Sequence, residues 1–169
     1  FLNEKDYNSV LDKMYLSDGS IWPIPITLDI NENLSESLSV GDCLSLKDKE
    51  GFLIAILSIE SKWKPDKIKE ANKIYGSTDQ NHPGVNFLFN ESGPIYLGGH
   101  LRGVDLPKHY DFKELRKTPD QLKAEFAKMG WETIVAFQTR NPMHRAHVEI
   151  TKLAAKEVSG KLLIHPVVG

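Results

Sequence analysis

Cysteine is nearly absent: Cys43 is the single thiol in 169 residues. One thiol cannot close an intrachain disulfide, which suits a reducing compartment, and a cytoplasmic setting is expected. Long apolar runs are also missing. No stretch approaches the ~20 apolar residues of a membrane-spanning helix, and no secretory signal pattern opens the chain. An excess of charge of either sign is lacking as well. The 21 Lys and Arg residues nearly balance 23 Asp and Glu, for a net charge of −2. The basic residues are scattered, which argues against a broad nucleic-acid or membrane footprint but leaves room for a local anion site. There is enough chain to bury a core, as one domain or two small ones. Residue 1 is Phe rather than Met, and Gly169 directly follows an apolar run. Both ends predict a fragment of a larger enzyme.

The first two thirds read as short strands with a few helices. Tyr7, Val10, Leu11 and Met14 share a helical face within residues 1–17. Asp18-Gly19 signals a turn. Residues 21–30 read as a strand whose first half, holding Pro23 and Pro25, belongs at an edge. Residues 31–39 are polar and loop-like, with room for a helical turn. Short strands are expected at 43–46 and 52–60, separated by turns at 40–42 and 48–51. Residues 66–75 predict a helix with Ile68, Ala71, Ile74 and Tyr75 inward and Gly76 as its stop. Lys62, Lys64, Lys67, Lys69 and Lys73 read as a solvated face. Residues 81–84 are a loop with a structural His82, and residues 85–90 a helical turn or short strand. Residues 94–99 read as a strand ending in a tight turn, and 101–106 as the last strand. Strands and turns at roughly ten-residue spacing make a barrel-like unit. Trp22 and Trp63 are assigned to core or interface, because basic and aromatic residues do not cluster as an RNA surface requires.

Residues 107–118 are charged and linker-like, with Arg116 and Lys117 as linker charge. Thr118-Pro119-Asp120-Gln121 then opens a helix, with Thr as cap, Pro first and Gln three after the cap. Leu122, Phe126 and Met129 form its apolar stripe, and Gly130 closes it.

The chemistry concentrates after that. Residues 132–139 predict a strand and residues 142–158 a helix with Met143, Ala146, Ile150, Leu153, Ala154 and Val158 on its apolar face. Asn141 suits the cap and Pro142 the first helical position. Residues 161–168 read as a second buried strand, too apolar for a solvent face. Strand, helix and strand make a βαβ unit with a right-handed crossover, in which ligands bind beyond the carboxyl ends of the strands. Gln138 and Arg140 fall on one side of the extended backbone and Thr139 on the other. An amide beside a guanidinium can hold a small oxyanion. His144 and His147, three apart near the positive end of the helix dipole, are placed to meet further negative charge. His165, near the end of the second strand, is a secondary candidate. Zinc is disfavoured: the histidines are three apart rather than four, and Arg145 lies between them. An isolated His-x-x-His is usually surface or core, but the added Gln138, Arg140 and strand–turn–helix context argue for a site.

The block Gln138-Thr139-Arg140-Asn141 with His144-x-x-His147, flanked by Val135-Ala136-Phe137 and followed by His165-Pro166-Val167-Val168-Gly169, resembles the Gln-Thr-Arg-Asn and His-x-x-His motifs of the ATP sulfurylase (sulfate adenylyltransferase) family. The resemblance runs along essentially the whole chain. It implies an α+β architecture: a PUA-like β-barrel domain over residues 1–112, a linker and connecting helix over 113–131, and the first βαβ unit of a Rossmann-like α/β nucleotidyltransferase domain over 132–169. It implies conversion of ATP and sulfate to adenosine 5′-phosphosulfate and pyrophosphate, with Mg²⁺ accompanying ATP rather than held by the protein. Gln138 and Arg140 would hold sulfate. Those two, with Thr139, Asn141, His144 and His147, would contact the nucleotide, and Thr139, Arg140, Asn141, His144 and His147 would form the catalytic set. ATP and sulfate are the implied partners, the full-length protein is expected to be a homo-oligomer, and no nucleic-acid or membrane partner is expected. Many family members have Glu directly after the second histidine; here Val148 intervenes before Glu149. The family's second nucleotide-contacting segment, a Gly-Arg-Asp-His block, would lie beyond Gly169, so the fragment alone is expected to be inactive. Two rival readings are another His-x-x-His nucleotidyltransferase with a different anionic acceptor, and a non-catalytic PUA-like module that binds RNA or a partner.

Overall fold

In the computed structural model, which describes residues 1–167, the chain divides into Phe1–Lys108 and His109–Gly169. The first unit begins with α1 (Glu4–Lys13), whose cap Asn3 accepts the Asp6 N–H at 2.8 Å. Tyr7, Val10 and Leu11 are buried as the spacing predicts. Met14 is not: it ends the helix in the left-handed region at φ 60° and lies exposed. The turn at Asp18-Gly19 is bridged by Tyr15 and Ile21, but the strand expected over 21–30 shrinks to β1 (Leu28–Ile30). Pro23 and Pro25 have no N–H to give a ladder, which removes its first half.

After α2 (Glu32–Glu36), β2 (Cys43–Lys47) and β3 (Leu53–Trp63) form as expected, and α3 (Lys67–Tyr75) runs from the Asp66 cap to a left-handed Gly76 at φ 68°. Residues 83–91 are helical: α4 (Pro83–Asn86) is followed by a π-helical turn, Phe87–Glu91. His82 is structural, accepting the Gly84 N–H at 3.2 Å and lying 5.0 Å from the Tyr75 ring. The turn expected at residues 98–99 does not exist; β4 is one strand, Ile95–Gly103. A Cβ on Gly98 would sit 2.1 Å from the Leu2 carbonyl oxygen, and one on Gly99 2.0 Å from that of Ser58. These glycines admit neighbouring backbone within a strand rather than turning the chain.

The four strands form a curled antiparallel half-barrel in the order β1-β4-β3-β2. Tyr96 and Leu97 point to opposite faces and seed two cores. One gathers Tyr7, Leu11, Trp63 and Tyr96; the other Ile30, Leu57, Ile59 and Leu97. Ile59 and Trp63 are an even number of residues apart yet join different cores. The register shift between Ile59 and Ser61 against β4 accounts for this, since one extra residue reverses the facing. Trp63 is thus core, as expected.

Two expectations for α3 fail. Its buried residues are Glu70 and Ala71, whereas Ile68 is 63% exposed and Tyr75 is exposed too. Both core tyrosines donate to Glu70 Oε2, Tyr7 at 2.8 Å and Tyr96 at 3.0 Å, and this lets a carboxyl enter the interior. The lysines are not simply solvated. Lys62 donates to the Ser35 and Leu38 carbonyls, Lys67 to Ser92, and Lys69 to Asp12.

In the second unit, α5 (Pro119–Lys128) has the expected capping box between Thr118 and Gln121. Its stripe is shallow: Leu122 and Phe126 are half-buried, Phe126 stacks on Trp131, and Met129 is exposed. Then β5 (Ile134–Thr139), α6 (Arg145–Glu157) and β6 (Lys161–Pro166) form a βαβ unit with β5 and β6 parallel. The helix starts at Arg145 rather than residue 142, and its cap is His144 rather than Asn141. Its inward face is also rotated from the expected one. Thr151 is buried, with His147, Val148, Ala154 and Ala155 half-buried, while Ile150 and Leu153 are 62% and 64% exposed. Nor is β6 buried: Leu162 and Leu163 are half-buried and Ile164 is exposed. One helix covers only one face of two paired strands. The strand expected at Val168 lies outside the described residues. No helix among them is long and apolar enough to cross a membrane.

Candidate active site

The strand β5 delivers its side chains by strict alternation. Val135, Phe137 and Thr139 are half-buried, while Ala136, Gln138 and the following Arg140 are exposed. Gln138 and Arg140 therefore share a side at the carboxyl end of the strand. Neither side chain makes a hydrogen bond or ion pair with any described residue, so the amide and the guanidinium present their donors outward.

Thr139 shapes the turn that follows. Its Oγ1 donates to the Asn141 carbonyl at 2.8 Å and accepts the Asn141 N–H at 3.1 Å. The hydroxyl is occupied by its own loop, which assigns Thr139 to holding the turn.

The two histidines sit where that turn becomes helix. His144, extended at φ −79° and ψ 162°, occupies the cap position, and its carbonyl accepts the first helical bond from Val148 N–H at 3.1 Å. His147, three residues on, accepts the His144 N–H on Nδ1 at 3.3 Å. The two imidazoles stack, with ring centroids 5.3 Å apart and planes 11° apart, and His147 also lies 5.6 Å from the Phe137 ring. An accepting Nδ1 means that neutral His147 carries its proton on Nε2, the atom available to a ligand. The geometry thus gives His147 an Nε2–H donor held by its own helix.

The electrostatics of the helix start are unusual. The first turn contains no acidic residue and does contain the exposed Arg145. Cations are unfavourable at the positive end of a helix dipole, and the Arg145 and Ala146 N–H groups precede the first intrahelical bond. A helix start that breaks the usual charge rule, beside an unpaired Arg140, is suited to an anionic ligand.

The donor set is amide, guanidinium, imidazole and backbone N–H. It attracts oxyanions and offers a divalent cation no carboxylate; Glu149 pairs with Lys152 at 3.4 Å. No cluster of three or more His, Cys, Asp or Glu that could hold a metal occurs among the described residues. The residues do not fit a Mg²⁺ site. A cavity of about 420 Å³ in the same unit, lined by Lys113, Arg116, Lys117 and Glu125, is not a rival anion site. Arg116 already pairs with Asp111 at 2.8 Å and Lys117 with Glu125.

Residues 113–169 match the ATP-sulfurylase family model, and residues 1–106 match that of the PUA-like domain. The sulfate adenylyltransferase of Schizosaccharomyces pombe is 50% identical over 171 aligned residues, which cover 100% of this chain and 35% of the relative. The chain is a PUA-like domain followed by the start of an ATP-sulfurylase domain. The sulfate adenylyltransferase of Saccharomyces cerevisiae is 48% identical, again over 100% of this chain and 33% of the relative. A solved structure described as the hexameric APS kinase from Thiobacillus denitrificans superimposes with a TM-score of 0.77 at 35% identity, covering 100% of this chain and 29% of that one. The chain spans about a third of the length of the curated relatives it matches.

Two features of this site had no clear sequence signature: the capping role of His144 and the platform that Phe137 provides for His147. The signal for the second was indirect: Phe137 alternates onto the helix-covered side of β5. The signal for the first was masked by Asn141-Pro142, a stronger local start pattern.

Proposed function

We propose that this chain supplies the sulfate- and phosphate-binding strand–turn–helix of a sulfate adenylyltransferase, the activity named for its fungal relatives. One observation carries the reading. Unpaired Gln138 and Arg140 share the carboxyl end of β5, and the next turn leads directly to stacked imidazoles at a helix start without acidic residues.

In this reading a sulfate oxygen attacks the α-phosphorus of ATP in line. An S–O–P linkage forms, the bond from the α-phosphorus to the bridging oxygen breaks, and its electron pair leaves on pyrophosphate. Sulfate carries no proton at neutral pH, so no general base is needed, and the barrier is mainly charge repulsion and alignment. Arg140 grips two sulfate oxygens and Gln138 donates to a third. His147 Nε2–H, His144 and the free N–H groups of α6 meet the phosphate chain as charge moves onto pyrophosphate. Thr139 holds the turn, and Asn141 presents its amide to the nucleotide from that turn. The substrates are ATP and sulfate, with Mg²⁺ as companion of the nucleotide.

The division into a PUA-like domain over 1–112, a linker and helix over 113–131 and a catalytic start over 132–169 belongs to the same proposal. So do a cytoplasmic setting, suggested by the lone cysteine, a homo-oligomeric full-length protein, as the hexameric structural relative suggests, and the absence of a nucleic-acid partner. The test is adenosine phosphosulfate formation from ATP and sulfate by the full-length protein. Arg140→Ala should lower kcat/KM by roughly a hundredfold or more. Selenate should replace sulfate as acceptor. An unchanged rate in the variant, or a preference for phosphate, would overturn the reading. Residues 1–169 alone should show no turnover.

A further inference from the structure

We propose that His165 is a third oxyanion-contacting residue, acting with Gln138 on the acceptor anion. The inference rests on the reading of Gln138 and Arg140 as the sulfate grip, and it adds a residue from the second strand.

Register carries the argument. In the parallel pair, Ile134 lies opposite Lys161, Ala136 opposite Leu163, and Gln138 opposite His165. Register partners in a parallel sheet point to the same face, about 4.8 Å apart. Gln138 and His165 are therefore neighbours on one face at the carboxyl ends of both strands, where ligands of such sheets bind. The preceding pair on that face, Ala136 and Leu163, is apolar, so the polar pair begins at the strand ends.

The backbone holds His165 firmly. Pro166 follows it, which restricts His165 to extended conformations. Pairing continues past it, as the Val167 N–H donates to the Thr139 carbonyl at 2.8 Å. The side chain, by contrast, is exposed and has no hydrogen bond, ion pair or ring contact with any described residue. A packing histidine would be buried or bonded, like His82 on Tyr75 and Gly84 N–H. His165 is instead an unpaired imidazole at a fixed strand position beside a free amide. Two such donors with the Arg140 fork would surround a tetrahedral oxyanion from two strands, which neither strand could do alone. His144 and His147 are left for the phosphates.

The experiment uses the full-length protein with saturating ATP. His165→Ala should raise the KM for sulfate about tenfold, the effect of one lost hydrogen bond to a charged group. The KM for ATP should change by less than about twofold. His165→Gln, which keeps a donor, should recover most of the loss. Combining His165→Ala with Gln138→Ala should cost less than the product of the single effects, because both would serve one ligand. Equal shifts in both KM values, no shift in either, or equal behaviour of the Ala and Gln variants would overturn the proposal. A wild-type protein that forms no adenosine phosphosulfate would defeat the proposed function separately. His165 is then judged by titrating the wild-type protein with sodium sulfate and following its ring-proton resonance. A saturable shift supports the contact, and an unmoved resonance removes it. The same titration decides the matter if the alanine variant fails to fold.

Discussion

Residues 1–108 enclose two apolar cores, whereas residues 109–167 bury no hydrophobic residue fully; both leave large apolar side chains exposed. Every buried hydrophobic residue among those described lies in the first unit, from Tyr7 to Leu97; in the second, the buried residue is Thr151. Two cores, one on each face of a curled sheet, define the first unit. The second holds its candidate site by local devices: a threonine-closed turn, a histidine cap and the register of two parallel strands. A half-barrel is stabilised by what it removes from water, while an oxyanion site has to keep donors unpaired and exposed.

The sharpest way to break this contrast is to make one substitution in both units. Leu57 is 0% exposed and Leu153 is 64% exposed. Leu57→Ala should lower unfolding free energy by about 2–5 kcal/mol in a denaturant titration. Leu153→Ala should change it by no more than about 0.5 kcal/mol. Comparable losses would mean that the helix face of the second unit is packed in solution.

Hydrogen exchange would test the same contrast on the backbone. Amides of Leu57 and Tyr96 should exchange at least about a hundredfold more slowly than those of Phe137 and Leu163, because openings of the second unit expose less apolar surface.

A smaller effect separates capping from core. Thr118→Ala removes the side-chain acceptor for the Gln121 N–H and should destabilise the second unit by about 1 kcal/mol. Thermal unfolding followed through Trp131 would report it, while the Trp63 signal of the first unit should not shift.

The mildest test is a pH profile of the first unit. Burial pushes the Glu70 carboxyl above its ordinary range, although both tyrosine donors and Lys67 pull the other way. The folded state then binds a proton that the unfolded state releases, so Glu70 contributes stability at acidic pH. That contribution is lost as pH rises from the ordinary carboxylate value, about 4.3, through the raised folded value. Glu70→Gln should flatten this fall in unfolding free energy across the window, and an unchanged slope would show that Glu70 is solvated. Tyr7 and Tyr96 are held above the tyrosine range by burial and by the Glu70 carboxylate, so stability should fall again once pH passes about 10.

Much of the fold was legible where neighbours in the chain decide the outcome. Thr118-Pro119 with Gln121, Asp66 with Gly76, and the alternation of Val135 to Arg140 each contain their own physics within a few residues. The misreadings share the opposite property. Gly98-Gly99 looked like a turn because the carbonyls of Leu2 and Ser58, which demand small residues there, are remote in sequence. Glu70 was left out of the inward face of α3 because its two tyrosine donors lie 63 and 26 residues away. The inward face of α6 was misjudged because amphipathic periodicity fits more than one stripe, and only the sheet selects one.

Chain-local chemistry by itself determined the strand–turn–helix at residues 134–157 and the shared side of Gln138 and Arg140, because capping and alternation act over a single turn or pleat. Only the tertiary structure decided that α6 is capped at His144, that His147 lends its Nδ1 to that cap, and that His165 stands beside Gln138. Those outcomes depend on which backbone groups find partners in space, and strand register is set by pairing between segments that no local pattern encodes.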